Sequence, residues 1–227
     1  MMNNNRVITR TKLKPFGRAS LISTVLLVVS TPALSAQSDE DKKWYVGGAI
    51  GYASSDASIG SIDRQFANVG LDASVTALDN SDMAVSLYLG YDFNQHWYLQ
   101  GGYKDIGEVQ INISATYDDE VAFFDEIRKI HPESGDGLFI ALGYHFYIND
   151  DFTIAPQLGL FDWQGKFKTT NVGELKGRDK ISGTDMFLGI KGEYRLSQEW
   201  RVGLSWERIN FDKDESDAVW LSARYQF

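Results

Sequence analysis

AVWLSARYQF, residues Ala218 to Phe227, alternates from one side chain to the next. Period two places Val219, Leu221, Ala223, Tyr225 and Phe227 on one face of a strand, with Trp220, Ser222, Arg224 and Gln226 on the other. Chain termini are usually polar and frayed, so a terminal strand of this kind needs neighbours along its edges. Working outward, the same period recurs in WYVGGAIGYA (Trp44 to Ala53), MAVSLYLGYDF (Met83 to Phe93), WYLQGGYKDIG (Trp97 to Gly107) and GLFIALGYHFYI (Gly137 to Ile148). It continues in FTIAPQLGLFDW (Phe152 to Trp163), TDMFLGIKGEYRL (Thr184 to Leu196) and WRVGLSWERINF (Trp200 to Phe211).

Each segment is near the length that crosses a bilayer at a tilt of about 45°, and the faces are sorted for that environment. The sixth strand turns Met186, Leu188, Ile190 and Tyr194 outward and Asp185, Lys191, Glu193 and Arg195 inward. The fourth turns out Leu138, Ile140, Leu142, Tyr144 and Phe146, leaving Ala141, Gly143 and His145 inside. Apolar side chains outside and charged ones inside invert a soluble barrel. At mid-depth on the lipid face a charge such as Lys191 costs about 2–4 kcal/mol, which fixes the register. A chain inserted this way has no exposed edge only if its last strand pairs with its first. AVWLSARYQF is that closing strand, and the fold expected is an all-β, eight-stranded antiparallel up-and-down transmembrane β-barrel.

The connections alternate in length. Asn94 to His96, Asn149 to Asp151 and Ser197 to Glu199 are tight turns, whereas Ser54 to Asp82, Glu108 to Asp136, Lys166 to Gly183 and Asp212 to Asp217 are longer or acidic. Short turns on one rim and longer loops on the other suit an outer-membrane barrel whose short side faces the periplasm. Trp44, Trp97, Phe152 and Trp200 open alternate strands, and Phe93, Phe146, Tyr194 and Phe227 close the others, so all eight fall at that rim. They form a periplasmic aromatic girdle, since aromatic rings favour the boundary between hydrocarbon and headgroups. A soluble β-sandwich offers no reason for aromatics to mark strand ends.

Residues 1–36 stand apart. Arg6, Arg10, Lys12, Lys14 and Arg18 precede the apolar run ASLISTVLLVVS (Ala19 to Ser30), then Pro32 and ALSA, and no acid occurs before Asp39. This is the pattern of a signal peptide cleaved near Ala36, and the run is shorter than the roughly 18 residues of a membrane-spanning helix. The expected organisation is a removed leader over 1–36, a short periplasmic segment over 37–43 and the barrel over 44–227. Removing the five leader cations from 22 Lys and Arg leaves 17 against 31 Asp and Glu, a net charge near −14. That balance argues against a nucleic acid partner. With no cysteine, the exported chain has neither disulfides nor thiolate metal sites.

LGIKGEYRLSQEWRVGLSWERINF followed by AVWLSARYQF resembles the last hairpins of small, eight-stranded, OmpA-type outer-membrane barrels, and LGYDFNQHWYLQGGYKDIG resembles an earlier hairpin of the same kind. The shared pattern is apolar-Gly-Tyr, a polar turn, Trp, then renewed alternation. The resemblance covers about residues 44 to 227, and it implies fold more than function, because such barrels host several activities. It implies that Tyr225 and Phe227 form the C-terminal signal read by the barrel-assembly machinery. It also implies an environment of outer-membrane lipid and lipopolysaccharide. Ser222 stands where relatives often carry glycine, and Trp220 where they are more often polar. Pro156 removes a ladder hydrogen bond, and a bulge is expected there.

Eight strands enclose only enough room for side chains. Gln100, Lys104, Gln157, Lys191, Glu193, Arg195, Arg201, Glu207 and Arg224 point inward, with His145 lower down. Buried charges must pair, giving either an interlocked plug or a narrow gated passage for small solutes. Deacylation of lipid A by barrels of this size is associated with a His and a Ser two residues apart on the lipid face, a spacing absent here. His96 lies in a periplasmic turn, and His131 lies in the second loop beside Glu133 and Ser134. DDEVAFFDEIRKI (Asp118 to Ile130) could form a short helix with Phe123, Ile127 and Ile130 on one face, packing on VGLDASVTA of the first loop or engaging an outside partner; equally, the strands could continue above the membrane. DKDESD (Asp212 to Asp217) lacks the spacing of an EF-hand and reads as a solvated tip, or second as a weak divalent site. The function expected is structural or surface interaction, adhesion or colonisation, through long loops and an extracellular or host-surface partner. No enzyme activity, cofactor or metal is expected.

Overall fold

The computed structural model describes residues 7–8, 43–116, 120–130, 134–171, 174–212 and 214–227. The barrel strands are β1 (Trp44–Ser55), β3 (Ser81–Asp92), β4 (Trp97–Asp105), β6 (Asp136–Tyr144, continued by β7, Phe146–Tyr147), β8 (Phe152–Asn171), β9 (Glu174–Arg195), β10 (Trp200–Asn210) and β11 (Glu215–Gln226). All pair antiparallel with their neighbours in chain order, and β11 returns to β1 in continuous register from Ser216 opposite Ser55 to Gln226 opposite Tyr45. The sheet is a closed eight-stranded barrel. Every interior strand has its backbone groups taken up on both sides, the condition for placing a β-chain in hydrocarbon. Of residues 1–36, only Val7–Ile8 is described, lying antiparallel to Asn171 and Thr170.

The expected faces hold. Ile50, Leu89, Leu138, Ile140, Leu142, Leu158, Leu188, Ile190, Leu204, Val219 and Leu221 are exposed on the outside, while Ala218, Trp220, Ser222 and Arg224 are buried inside. Two inward glycines matter because rings lie flat against them: a Cβ at Gly90 would overlap the Tyr45 ring, and one at Gly143 the Tyr98 ring. Each tyrosine stands directly opposite its glycine in the ladder.

The tight turns share one local solution. Asn94 Oδ1 accepts from the amides of His96 and Trp97 at 2.8 and 2.9 Å, Asn149 Oδ1 from Asp151 and Phe152 at 2.9 and 2.8 Å, and Ser197 Oγ from Glu199 and Trp200 at 3.2 and 3.1 Å. A short polar side chain at the first turn position thus satisfies amides that the reversing chain leaves open. At this rim the aromatic ring is built from cross-strand pairs: Trp44 opposite Tyr91, Trp97 opposite Tyr144, Phe152 opposite Tyr194 and Trp200 opposite Tyr225. Centroids of the three Trp–Tyr pairs lie 4.8 to 5.2 Å apart. Phe93, Phe146 and Phe227 join the ring, each beside a tyrosine.

Three expectations change. Of Lys166 to Gly183, read as a loop, the described residues 166–171 and 174–183 are strand: β8 and β9 run for 20 and 22 residues, so the hairpin continues beyond the barrel as a two-stranded ribbon. Its upper part loses the period-two pattern because neither face there is sorted by lipid. The last long connection is shorter than read, since β11 begins at Glu215. At Pro156 there is no bulge: the chain keeps one register, with Gly143 opposite Gln157 and Phe146 opposite Ile154. The missing N–H instead interrupts the ladder at His145, whose own amide donates to the His96 carbonyl at 2.7 Å on the other side.

Leu221, near mid-height on the outer face, provides a check on this arrangement. Leu221→Arg is expected to destabilise the barrel by about 2–4 kcal/mol in phospholipid vesicles, measured by urea unfolding, whereas Ser205→Ala on the inner face stays within about 1 kcal/mol.

Candidate functional site

The barrel interior is filled from rim to rim. At the long-loop end Phe139, Phe161, Trp163, Phe187, Ile209 and Phe211 are buried together. Beneath this apolar lid Lys104, 1% exposed, places Nζ 3.7 Å from the Phe187 ring centroid and 4.4 Å from that of Phe139. The same ammonium pairs with Glu207 Oε2 at 2.7 Å, and Glu207 Oε1 accepts from Gln157 Nε2 at 2.8 Å. Gln157 Oε1 accepts from Gln100 Nε2 at 3.0 Å and from Tyr98 OH at 3.2 Å. Gln100 Oε1 accepts from Lys191 Nζ at 3.4 Å and Tyr45 OH at 3.3 Å.

Lower down, Glu193 lies between Lys191 at 3.8 Å and Arg224 at 3.0 Å. Arg224 stands over the Tyr45 ring and 3.8 Å from Asp92, which also receives Gln226 Nε2 at 2.9 Å and meets His145 Nε2 at 3.4 Å. A cavity of about 20 Å³, room for about one water, remains among Tyr88, Gln100, Lys191, Ser205 and Glu207. The Tyr88 hydroxyl has no hydrogen-bond partner among the described residues.

Of the nine inward residues singled out from sequence, Gln100, Lys104, Gln157, Lys191, Glu193, Glu207 and Arg224 come together in this column. Arg195 and Arg201 do not. Arg195 sits at the short-turn rim, 3.5 Å from Asp151 and donating to the Asp150 carbonyl. Arg201 lies directly opposite Arg195 and Arg224 at the same mouth, partly exposed. Alternation gives a residue's face but not its height, hence the difference. Asp92, Tyr45, Tyr88 and Tyr98 were missed, although counting in twos from Tyr88 through Gly90 would have found Asp92.

The first two long loops fold together. They contribute α1 (Ile59–Asn68), β2 (Asp72–Asp79), β5 (Gln110–Thr116) and α2 (Glu120–Ile130), with β2 and β5 paired as a separate sheet. Ile62, Phe66, Val75, Val109, Ile111, Ile113, Phe123, Ile127 and Ile130 form a core distinct from that of the barrel. α1 begins at a reciprocal cap, Ser58 Oγ accepting from Ser61 N at 3.2 Å and Ser61 Oγ from Ser58 N at 3.1 Å. Where β2 bulges after Val75, the Val75 amide donates to Asp63 Oδ1 of α1 at 2.7 Å. The apolar face of α2 is therefore spent on loop-to-loop packing, including Leu71 and Ala73 of the first loop.

The other candidates disperse. His131 and Glu133 lie outside the described residues, and Ser134 Oγ donates to the Gly107 carbonyl at 2.7 Å. Asp217 and Glu215 of the acidic tip are held by Arg208 at 2.7 and 3.2 Å, and Asp214 accepts from Ser55 Oγ at 3.1 Å. No cluster able to hold a metal ion occurs among the described residues.

Glu207→Ala strands a buried ammonium, and a loss of about 3–5 kcal/mol in guanidinium unfolding is expected. Combining Lys104→Met with Glu207→Leu removes both charges at similar volume and should recover most of that loss.

Residues 21–227 match the family model of the outer membrane protein beta-barrel domain. No curated protein sequence matches significantly. Among solved structures the chain is similar to Ail, the attachment invasion locus protein of Yersinia pestis, in complex with the heparin analogue sucrose octasulfate, at 18% identity and TM-score 0.42, covering 82% of this chain and 99% of that one. It is also similar to the N-terminal barrel of Pseudomonas aeruginosa OprF, at 12% identity and TM-score 0.45, covering 82% and 98%. Neisserial surface protein A is similar at 12% identity and TM-score 0.45, covering 81% and 97%. With its closed strands, apolar outer face and a family match over most of its length, the chain belongs to the outer membrane protein β-barrel domain family and resides in the outer membrane.

Proposed function

We propose that the protein is a non-enzymatic surface-interaction protein, in which the barrel serves as an anchor and the extracellular head presents a contact surface for adhesion. The observation that carries this reading is the separate core of the head. A membrane anchor needs only short connections, yet two loops far apart in sequence bury Ile62, Phe66, Phe123 and Ile127 together to hold one shape above the bilayer. Fixing loop backbone costs about 1–2 kcal/mol per residue, and preorganisation of this kind favours recognition. The lumen supports the same reading, because Lys104, Glu207, Gln157 and Gln100 are committed to one another rather than to a solute path. His145 is buried on the luminal side beside Asp92, near the short-turn mouth, and does not face lipid, which argues against acyl transfer to lipid. For assembly, Tyr225 and Phe227 at the end of β11 would serve as the signal for the barrel-assembly machinery.

A second reading, a narrow gated conductance, draws on the water-sized gap beside Tyr88 and the mouth lined by Arg201 and Asp92. Planar bilayer recordings on the parent, Glu207→Ala and Arg224→Ala barrels test it, and near-zero conductance in all three removes it. For the leading reading, Phe123→Asp unfolds the head core while leaving the barrel ladder untouched. Cells displaying Phe123→Asp at parental levels are expected to lose at least about tenfold of their attachment to epithelial monolayers or matrix-coated surfaces, since one buried charge exceeds the few kcal/mol that hold such a core. Unchanged attachment overturns the adhesion role.

A further inference from the structure

Cations inside the barrel have acids beside them until the short-turn mouth is reached. Lys104 pairs with Glu207 at 2.7 Å, and Lys191 and Arg224 share Glu193 at 3.8 and 3.0 Å. Arg224 also lies 3.8 Å from Asp92, and Arg195 has Asp151 at 3.5 Å. Arg201 is left over. No carboxylate of the described residues lies within salt-bridge distance of its guanidinium, and its Nε is enclosed without a hydrogen-bond partner among them.

Register makes this surplus costly. Arg201 is directly opposite Arg195 on β9 and directly opposite Arg224 on β11, so three arginines stand in one row across three strands. All three have luminal parity, Arg195 following Lys191 and Glu193, Arg201 preceding Ser205 and Glu207, and Arg224 following Trp220 and Ser222. Directly opposite residues have Cβ atoms about 4.5–5.5 Å apart, and like charges so placed are destabilising. The acids nearby are already engaged, since Asp92 also receives Gln226 Nε2 at 2.9 Å and meets His145 Nε2 at 3.4 Å. The middle arginine has no counter-charge of its own.

Orientation and charge indicate what would settle it. Arg201 is partly exposed although Nε is enclosed, so the terminal nitrogens of the guanidinium are the part that reaches the opening. Two parallel N–H groups in a rigid plane match the two oxygens of a carboxylate. Lipid headgroups are the wrong source, because the arginine row faces the lumen while Tyr194 and Trp200 on the same strands are exposed toward lipid. One unbalanced positive charge suits one negative charge, and Asp92, Glu193 and Asp151 around it disfavour a doubly charged phosphate. We propose that the short-turn mouth binds a single carboxylate from the periplasm, with Arg201 as the fork that holds it and Arg195 and Arg224 as flanking charges. A free organic acid and the C-terminus of a peptide both present this group.

The test uses the full barrel, isotope-labelled at arginine and folded in detergent micelles, with the Nε–H resonance of Arg201 identified by its loss in Arg201→Gln. Sodium acetate, N-acetyl-dialanine, sodium phosphate and sodium chloride are titrated separately and compared at matched ionic strength. Expected is a saturable shift of the Arg201 signal by a carboxylate, with half-saturation at about 1–10 mM, a range open to so small a ligand. Phosphate and chloride should require at least about tenfold more. The tighter of acetate and the dipeptide identifies the source. In Arg201→Gln the Arg195 and Arg224 signals should no longer shift, and Arg201→Lys, which keeps the charge without the fork, should bind about tenfold more weakly. Arg208→Gln on the far rim should bind as the parent does, and the heat-dependent gel shift of the closed barrel verifies folding of each variant. An unsaturable response, chloride or phosphate acting at the same concentrations as the carboxylates, or undiminished binding in Arg201→Gln overturns the proposal. None of these outcomes depends on whether the head mediates attachment or the lumen conducts.

Discussion

Hydrocarbon offers no hydrogen-bond partner, so each peptide group that enters it must be satisfied by another part of the chain. In this protein that demand is met by the return of β11 to β1, with Phe227 N–H donating to the Trp44 carbonyl at 2.8 Å as the last link. The other features follow from closure. Once the sheet is a tube, one face of every strand meets lipid and the other meets seven neighbours across a narrow lumen. Leu221 and Leu188 can be exposed only because Arg224 and Lys191 are enclosed.

Enclosure in turn sets the chemistry of the interior. A charge that cannot reach water is tolerated when another charge and hydrogen bonds surround it, and the column from Lys104 through Glu207 and Gln157 to Glu193 and Arg224 has that character. Glutamines at positions 100 and 157 bridge the two ionic levels, each using its carbonyl as acceptor and its amide as donor. Glycines 90 and 143 let tyrosines lie against the wall and fill what remains. The inside therefore behaves as a polar core, held by directional bonds where a soluble protein would use packing alone.

Much of this was legible before any coordinates. Lipid on one side and a polar lumen on the other impose period two on every crossing strand, so AVWLSARYQF and TDMFLGIKGEYRL announce their faces, and Asn94, Asn149 and Ser197 announce the turns. Legibility fails where that constraint ends. Above the membrane neither face of KFKTTN is selected by lipid, so β8 and β9 read as a loop though their ladder continues. The helix over Glu120–Ile130 could be suspected from its own apolar spacing; α1 carries a comparable local signal, Ser58 as a cap before Ile59, Ile62 and Phe66 at i, i+3 and i+7, which a reading in period two passes over. Arg195 and Arg201 have the parity of luminal residues but lie at the mouth, since height depends on strand tilt and on where neighbouring turns fall.

The projecting ribbon shares its two strands with the barrel wall, with no hinge between Phe152 and Asn171 on one side or between Gly177 and Arg195 on the other. A pull applied at its tip would load the ladder lengthwise, so that many hydrogen bonds resist together instead of opening one after another.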